Sequence, residues 1–335
     1  MKMTFFSVQQ VDDLRRNNLI ATQNMKAYNP YSYDALSGTY FIDSAWYASL
    51  PMFTRELIQQ ACNCGNNHIV LKGIPVPHSI EKSFKCQAIY QAYTYSYDYD
   101  YWYRPNIKNG PKDCLLIPLS PEEKTALHDC TANRLQDTAP VKPYVKTCDL
   151  VAIRKRIESL TDRKKDYFIR LSGTSSKKDE TPVPLRRSRS IMDYLTRSFC
   201  FLTQEYCQPM KKTSIILMPW NARINARSEF RVFIYDRRVM AIGQQRWSRS
   251  FDYTDTELDI VESSILESHF WDDLPYTSLV ADVLVDIVGS KSATLIECNP
   301  FGSFGPSGSS LFSWSVDRDV LYGKAQAEIR VVRNN

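Results

Sequence analysis

Two phosphate-binding fingerprints are missing from this sequence. Its 335 residues contain no Gly-x-x-x-x-Gly-Lys-Ser/Thr run and no Gly-x-Gly-x-x-Gly run. The first absence excludes a P-loop and the second a dinucleotide-binding turn of the Rossmann type. No apolar run is long enough to span a membrane, so no membrane association is expected. Met1-Lys2-Met3-Thr4-Phe5-Phe6-Ser7 lacks the apolar core of a signal peptide. No internal repeat is visible. Standard zinc spacing is also lacking: Cys62-Asn63-Cys64 with His68 offers three ligands in no tetrahedral pattern, which reads as a helix end with free thiols. The nine cysteines are an odd number at irregular spacings, which argues against a disulfide framework and for reduced thiols in a cytosolic or nuclear setting, of which a cytoplasmic one is expected.

Apolar residues make up 43% of the chain and charged residues 24%, ordinary values for a globular protein with a real core. The length suggests roughly two domains. The net charge of +5 is too small to imply nucleic acid by itself, but its distribution is uneven. Residues 151–198 hold thirteen Lys or Arg against six Asp or Glu, a local excess that suits a phosphate-bearing ligand.

The stretch Ala293-Thr294-Leu295-Ile296-Glu297-Cys298-Asn299-Pro300-Phe301-Gly302 carries the sharpest chemical signal. Thr294, Leu295 and Ile296 are strand formers, and Pro300 stops the strand. Glu297 and Asn299, two apart, share one face. A carboxylate beside a carboxamide oxygen suits a hard cation such as Mg²⁺, which takes oxygen ligands and shares them with phosphates. Upstream, Leu279–Val288 is an apolar strand interrupted by Asp286, with a turn at Gly289-Ser290-Lys291-Ser292. Antiparallel pairing is expected to bring Asp286 near Glu297, giving three oxygen ligands: Asp286, Glu297 and Asn299. Taken singly, Asp286 and Glu297 read as solvent ends of strands. Together with Asn299 they read as a site, because carboxylates on such apolar strands are costly to bury unpaired.

Elsewhere, periodicity predicts helices over 8–25, 49–61, 255–270 and from Asp149 to Leu160, with another capped by Ser190 and running to Tyr206. Ser120, Pro121, Glu122 and Glu123 open a helix as cap, first residue and acidic first turn. Strands are expected at 69–71, 115–119, 167–172, 215–220 and 328–332. A hairpin over 228–244 turns at Asp236-Arg237-Arg238. It places Glu229 and Arg231 on one face and Phe230, Val232 and Ile234 on the other. Glu229 and Arg231 read as a salt bridge or as a phosphate-contacting arginine with its acid. Arg186, Arg187 and Arg189 read equally as a phosphate contact or a solvated helix entry. Within 90–103, Tyr93, Tyr95, Tyr97, Tyr99, Tyr101 and Tyr103 alternate with other residues, which reads as a structural strand with one tyrosine face or as a surface insertion. The loop Gly173–Asp179 has the small residues and lysines to close over phosphates. A loop-like stretch around Asp137–Lys146 suggests a boundary between an N-terminal region, 1–146, and a core, 147–335.

The core resembles the cell division cycle protein 123 family, a branch of the ATP-grasp fold. The resemblance runs through Phe168–Ser172 with Ser176–Asp179, Met218-Pro219-Trp220, Ser228–Phe233, Ala241–Gln244, Val285–Ile287, Leu295–Gly302 and Leu311–Trp314, in the family's order over about 150–333. It implies an α+β ATP-grasp fold, with mostly antiparallel sheets and flanking helices in two subdomains around a nucleotide cleft. It implies ATP and Mg²⁺ as cofactors. Asp286, Glu297 and Asn299 would hold metal. Arg231 would meet phosphate, joined by Arg170, Ser172 and Lys178 from the basic strand and loop. The chain around Met218 and Trp220 would meet adenine. Eukaryotic members usually carry Lys where Arg170 stands and Asp where Glu297 stands, and the loop after Leu171 differs in length and lacks their Pro. The N-terminal half matches only through Ser44-Ala45-Trp46-Tyr47, similar to the family's early Trp-Tyr-Pro, in the region those members use to grip their partner. The resemblance implies an ATP-dependent assembly chaperone that binds the gamma subunit of translation initiation factor two. The alternative it leaves open is an ATP-dependent ligase acting on RNA ends or another phosphate-bearing substrate.

Overall fold

The computed structural model describes residues 1–16, 31–34, 39–63, 68–72, 86–104, 106–136, 148–174, 183–206, 211–302 and 307–334. The chain divides into two compact units. The first joins Met1–Gly110 to Arg223–Asn335, and the second is Pro111–Ala222. The stretch suggested as a boundary, Asp137–Lys146, lies outside the described residues.

Three strands of the second unit, β5 (Leu115–Pro118), β6 (Tyr167–Leu171) and β7 (Ser214–Pro219), form an antiparallel sheet with β7 central. Pro118, which cannot donate to a ladder, sits on an outer strand where this costs least. The helix Pro121–Gln136 opens with a capping box: Ser120 Oγ accepts from the Glu123 amide at 3.2 Å, and the Glu123 carboxylate accepts from the Ser120 amide at 2.9 Å. The helix Cys148–Leu160 presents Leu150, Ile153 and Ile157, one apolar stripe at helical spacing. These residues pack with Leu127, Cys130, Ile191, Met192 and Leu195 against Ile169, Leu171, Ile215 and Leu217 to make the core of this unit. The helix opened by Ser188 stops at Leu195 rather than continuing, and a π-turn, Leu202–Tyr206, follows a short helical piece.

In the first unit the strands are β1 (Lys2–Phe6), β2 (Tyr31–Asp34), β3 (Thr39–Asp43), β4 (His68–Lys72), β8 (Glu229–Tyr235), β9 (Arg238–Gln244), β10 (Leu279–Val285), β11 (Ala293–Asn299) and β12 (Glu328–Val332). Six of them make one sheet in the order β1-β12-β9-β8-β10-β11, and the other three pair as β2-β3-β4. The β8–β9 hairpin turns through Asp236 and Arg237, both at positive φ (48° and 57°), the primed turn whose twist matches two-residue hairpins. β10 is buried along its whole length. Helix Asp255–Ser268 begins with a capping box between Thr254 and Glu257 and buries Leu258, Val261 and Ile265. Near the N-terminus the helix expected over 49–61 runs over Met52–Asn63, and a separate short helix, Ser44–Ser49, precedes it. The fold class is α+β with mostly antiparallel pairings.

One element contradicts the sequence reading. The tyrosine-rich segment is not a strand but a helix, Cys86–Tyr95, a turn, and a short helix, Tyr99–Trp102. Alternating tyrosines also stand four apart, so the same pattern gives one helical face. Tyr93 and Tyr97 touch edge to face across one turn, and Tyr97 stacks on Tyr276. The segment lies along β11, an outer strand of the large sheet. Tyr93 donates to the Phe301 carbonyl at 3.0 Å and Tyr99 to the Ile296 carbonyl, while the Leu295 amide donates to the Asn109 carbonyl at 2.8 Å. An exposed sheet edge is thereby covered.

Candidate functional site

β8, β10 and β11 build the charged cluster of the first unit. Arg231 lies opposite Asp282 across the β8–β10 ladder, and Asp282 lies opposite Glu297 across the β10–β11 ladder. Arg231 Nε and Nη2 each reach a different Asp282 carboxylate oxygen at 2.8 Å, a bidentate pair. Arg231 Nη1 donates to the Gly308 carbonyl at 2.7 Å, and the Gln245 amide reaches Asp282 Oδ2 at 3.2 Å. Only 12% of the Arg231 side chain and 8% of that of Asp282 are exposed, so both charges are largely withdrawn from water and each needs the other. Burial pulls the Arg231 guanidinium down, but the adjoining Asp282, with Glu297 and Glu229, holds it above the ordinary arginine range. The salt bridge from Arg231 therefore runs to Asp282 on the next strand rather than to Glu229.

A β-bulge decides which carboxylates meet. Asp282 pairs with Glu297 and the next residue, Val283, with Leu295, so Ile296 is an extra residue on β11. Without it, continuing the Val283–Leu295 register would set Ile296 against Asp282 and turn Glu297 to the opposite face, since side chains alternate. With it, Glu297 and Asn299 share the face of Asp282 and Arg231. Glu297 and Asn299 are neighbours as expected, with the Asn299 amide 3.5 Å from Glu297 Oε1.

Asp286 does not join them. It stands four residues beyond Asp282, about 13 Å along an extended chain. Its carboxylate instead organises the turn after β10: it accepts from the Gly289 and Ser290 amides and the Ser290 hydroxyl at 3.0 Å, and from Arg223 Nη1 at 2.9 Å. The Ser290 and Gly289 amides hold its carboxyl below the ordinary aspartate range. A Cβ on Gly289 would come within 2.6 Å of Asp286 Oδ2, so any side chain here would have to displace that carboxylate. The aspartate that sequence reasoning missed is Asp282. Its signal was its place in an apolar run opposite Arg231, and only the bulge makes it legible.

The residues on this face fit a divalent cation. Glu297 and Asn299 supply two oxygens and Asp282 a third group, close to the one or two carboxylates that Mg²⁺ commonly takes from protein. Among the described residues no three His, Cys, Asp or Glu side chains cluster for a metal by themselves, so this donor set depends on the Asn299 amide and on oxygens from a ligand. After Asn299 the chain turns at Gly302, whose φ of 111° is open to glycine. A cavity of about 480 Å³ in the same unit is lined by Trp46, Tyr93, Tyr97, Tyr235, Tyr276 and Tyr322 among others. None of Arg231, Asp282, Glu297 and Asn299 lines it, so it is separate from that cluster.

In the second unit, Arg170 and Ser172 lie at the end of β6 and are both buried. Ser172 Oγ accepts from the Ser214 amide at 2.7 Å, which ties the loop after β6 to β7. The next amide, of Gly173, donates to Glu205 Oε1 at 3.0 Å. Glu205 has no exposed surface and is held by Lys211 Nζ at 2.9 Å and Thr213 Oγ1 at 3.3 Å. This buried acid, carried on the π-turn, was also missed in the sequence. Lys178 lies outside the described residues. Met218 and Trp220 stand at the end of β7, partly exposed, with the Trp220 amide donating to the Asp166 carbonyl at 2.8 Å. Arg186 is exposed and paired with Asp166 at 2.7 and 2.9 Å, which resolves that arginine as part of a solvated helix entry.

A family model described as D123 matches residues 175–335. Over that span the chain belongs to the D123 family. Curated relatives include the translation initiation factor eIF2 assembly proteins of Danio rerio and Xenopus laevis, 27% and 26% identical over 122 residues. That is 36% of this chain, and it spans only 34% and 35% of those proteins. Cdc123 from Schizosaccharomyces pombe matches in structure with a TM-score of 0.52 at 20% identity, covering 72% of this chain and 96% of that one, a likeness of fold. The D123 span contains the π-turn, the β8–β9 hairpin, Asp282 and the bulged strand with Glu297 and Asn299, and it begins after β6. No helix among the described residues is long and apolar enough to cross a membrane.

Proposed function

We propose that this chain is an ATP-grasp protein that binds ATP with Mg²⁺ and acts as an assembly chaperone of translation initiation factor two through its gamma subunit. The observation that carries the reading is the D123 match over 175–335 together with the oxygen donors Glu297 and Asn299 set beside the Arg231–Asp282 pair. Glu297 and Asn299, with Asp282, would hold Mg²⁺, which when bound neutralises phosphate charge. Asp282 replaces Asp286 in this role. Arg231 spends three of its five N–H donors on Asp282 and Gly308, and the remaining two are available to a phosphate oxygen. The family resemblance also assigns phosphate contacts to Arg170, Ser172 and Lys178, and an adenine contact to the backbone of 217–220. The names of the eIF2 assembly proteins support the partner. Such a role belongs to the cytosol, in keeping with the free thiols of Cys62, Cys114, Cys130, Cys200 and Cys298.

The test is co-precipitation of the tagged chain with purified gamma subunit, with and without Mg·ATP. Recovery that strengthens with Mg·ATP is expected. No recovery in either condition contradicts the chaperone role, and transfer of label from ATP to RNA ends would establish the ligase reading in its place.

A further inference from the structure

The tyrosine-rich segment has no part in the functional reading so far, yet one of its hydroxyls meets the residue on which the cation face depends. Ile296 is the extra residue of the β11 bulge. Its carbonyl accepts from Tyr99, a tyrosine only 1% exposed, and on its other side the Leu295 amide is held by the Asn109 carbonyl at 2.8 Å. A bulge disrupts the ladder locally and leaves a backbone group to be satisfied elsewhere. Here the partner is a rigid ring locked between neighbours: Tyr99 packs against Trp102, centroids 4.5 Å apart, and against Tyr103 at 6.1 Å. One residue on, Glu297 leaves the bulge toward Asp282.

We propose that Tyr99 is a positioning residue for the cation site: its hydroxyl fixes the Ile296 bulge and thereby the orientation of Glu297 and Asn299. This rests on the Mg·ATP reading. Tyr99 acts through the backbone that carries both ligands, as groups behind metal ligands commonly do. Tyr93 extends the same support two residues past Asn299, through the Phe301 carbonyl.

The experiment is calorimetric titration of ATP, with and without Mg²⁺, into wild type, Tyr99→Phe and Tyr276→Phe. Tyr276 is the control: it is equally buried and donates to the Ser96 carbonyl at 2.5 Å rather than to the backbone of β11. Both variants lose one buried hydroxyl bond, and melting curves read that shared structural cost. Only Tyr99→Phe is expected to weaken ATP binding in Mg²⁺, by about tenfold or more, with metal-free binding unchanged. If Tyr99→Phe keeps the full Mg²⁺-dependent gain, or if Tyr276→Phe loses as much of it, the positioning role is overturned. If wild type itself shows no Mg²⁺-dependent gain, the failure lies in the Mg·ATP reading, and the inference falls with it.

Discussion

Asp282 lies in β10 and Asp286 just past its end, four residues on, and on an extended chain both would point the same way. Their surroundings separate them. Asp282 is 5% exposed and bonded through both oxygens to Arg231, whereas Asp286 sits at the strand exit and holds a turn. Truncating one partner of a buried ion pair leaves the other charge stranded, so Asp282→Ala should cost about 3–5 kcal/mol of unfolding free energy in a denaturant titration. Replacing both partners, Arg231→Met with Asp282→Leu, should recover most of that loss, which a double-mutant cycle would show as strong coupling. Asp286→Asn should cost only about 1 kcal/mol, since it weakens exposed turn hydrogen bonds. An equal cost for the two aspartates would contradict this division of roles.

At the scale of elements, the legible parts of the sequence were those whose partners are local. The β8–β9 hairpin alternates cleanly and its turn is two residues, so both strands follow from the chain itself; the register then shifts by one at Met240, an extra residue on β9. The i, i+2 placement of Glu297 and Asn299 was legible for the same reason. The tyrosine segment was not, because one spacing satisfies both a strand face and a helix face and only burial on β11 selects the helix. The opposite of Glu297 was not legible either: a seven-residue connection from Asp286 to Ser292 and the extra Ile296 set the register, and neither leaves a local mark. β1 was missed outright. It pairs in parallel with β12, joining Lys2–Phe6 to Glu328–Val332, which no local pattern can announce. A charged network closes that seam. Arg330 binds Asp317 at 2.7 and 2.8 Å and Glu328 at 3.0 Å, and the Thr4 hydroxyl donates to Glu328. Burial alone would raise the Glu328 carboxyl, but the hydrogen bonds from Arg330 and Thr4 hold it below its ordinary 4.5. The folded value is thus the lower one. The stabilisation is complete above pH 4.5 and is lost as pH falls through the folded value. Melting of Glu328→Gln across pH 3–6 should show a loss of about 1.5–3 kcal/mol at pH 6, shrinking toward acid pH. A constant difference across that range would rule out the carboxylate as its source.

For the whole molecule, the two units carry different chemistry. The unit formed by the chain's two ends holds the oxygen donors and the buried arginine, while the inserted unit, 111–222, holds the basic residues and a loop pinned by a buried glutamate. The D123 match begins inside the inserted unit, after β6, and runs to the end of the chain, so it takes in β10 and β11 and omits β6 with Arg170 and Ser172. Those two residues must therefore be judged by binding rather than by likeness. The most direct measurement of the account is calorimetric titration of ATP into wild type, Glu297→Ala and Asp286→Ala, each with and without Mg²⁺. The account predicts Mg²⁺-dependent binding by wild type, its loss in Glu297→Ala and its retention in Asp286→Ala. Retention in Glu297→Ala with loss in Asp286→Ala would contradict the bulge-set cation face, and absence of binding by wild type would contradict the nucleotide reading itself.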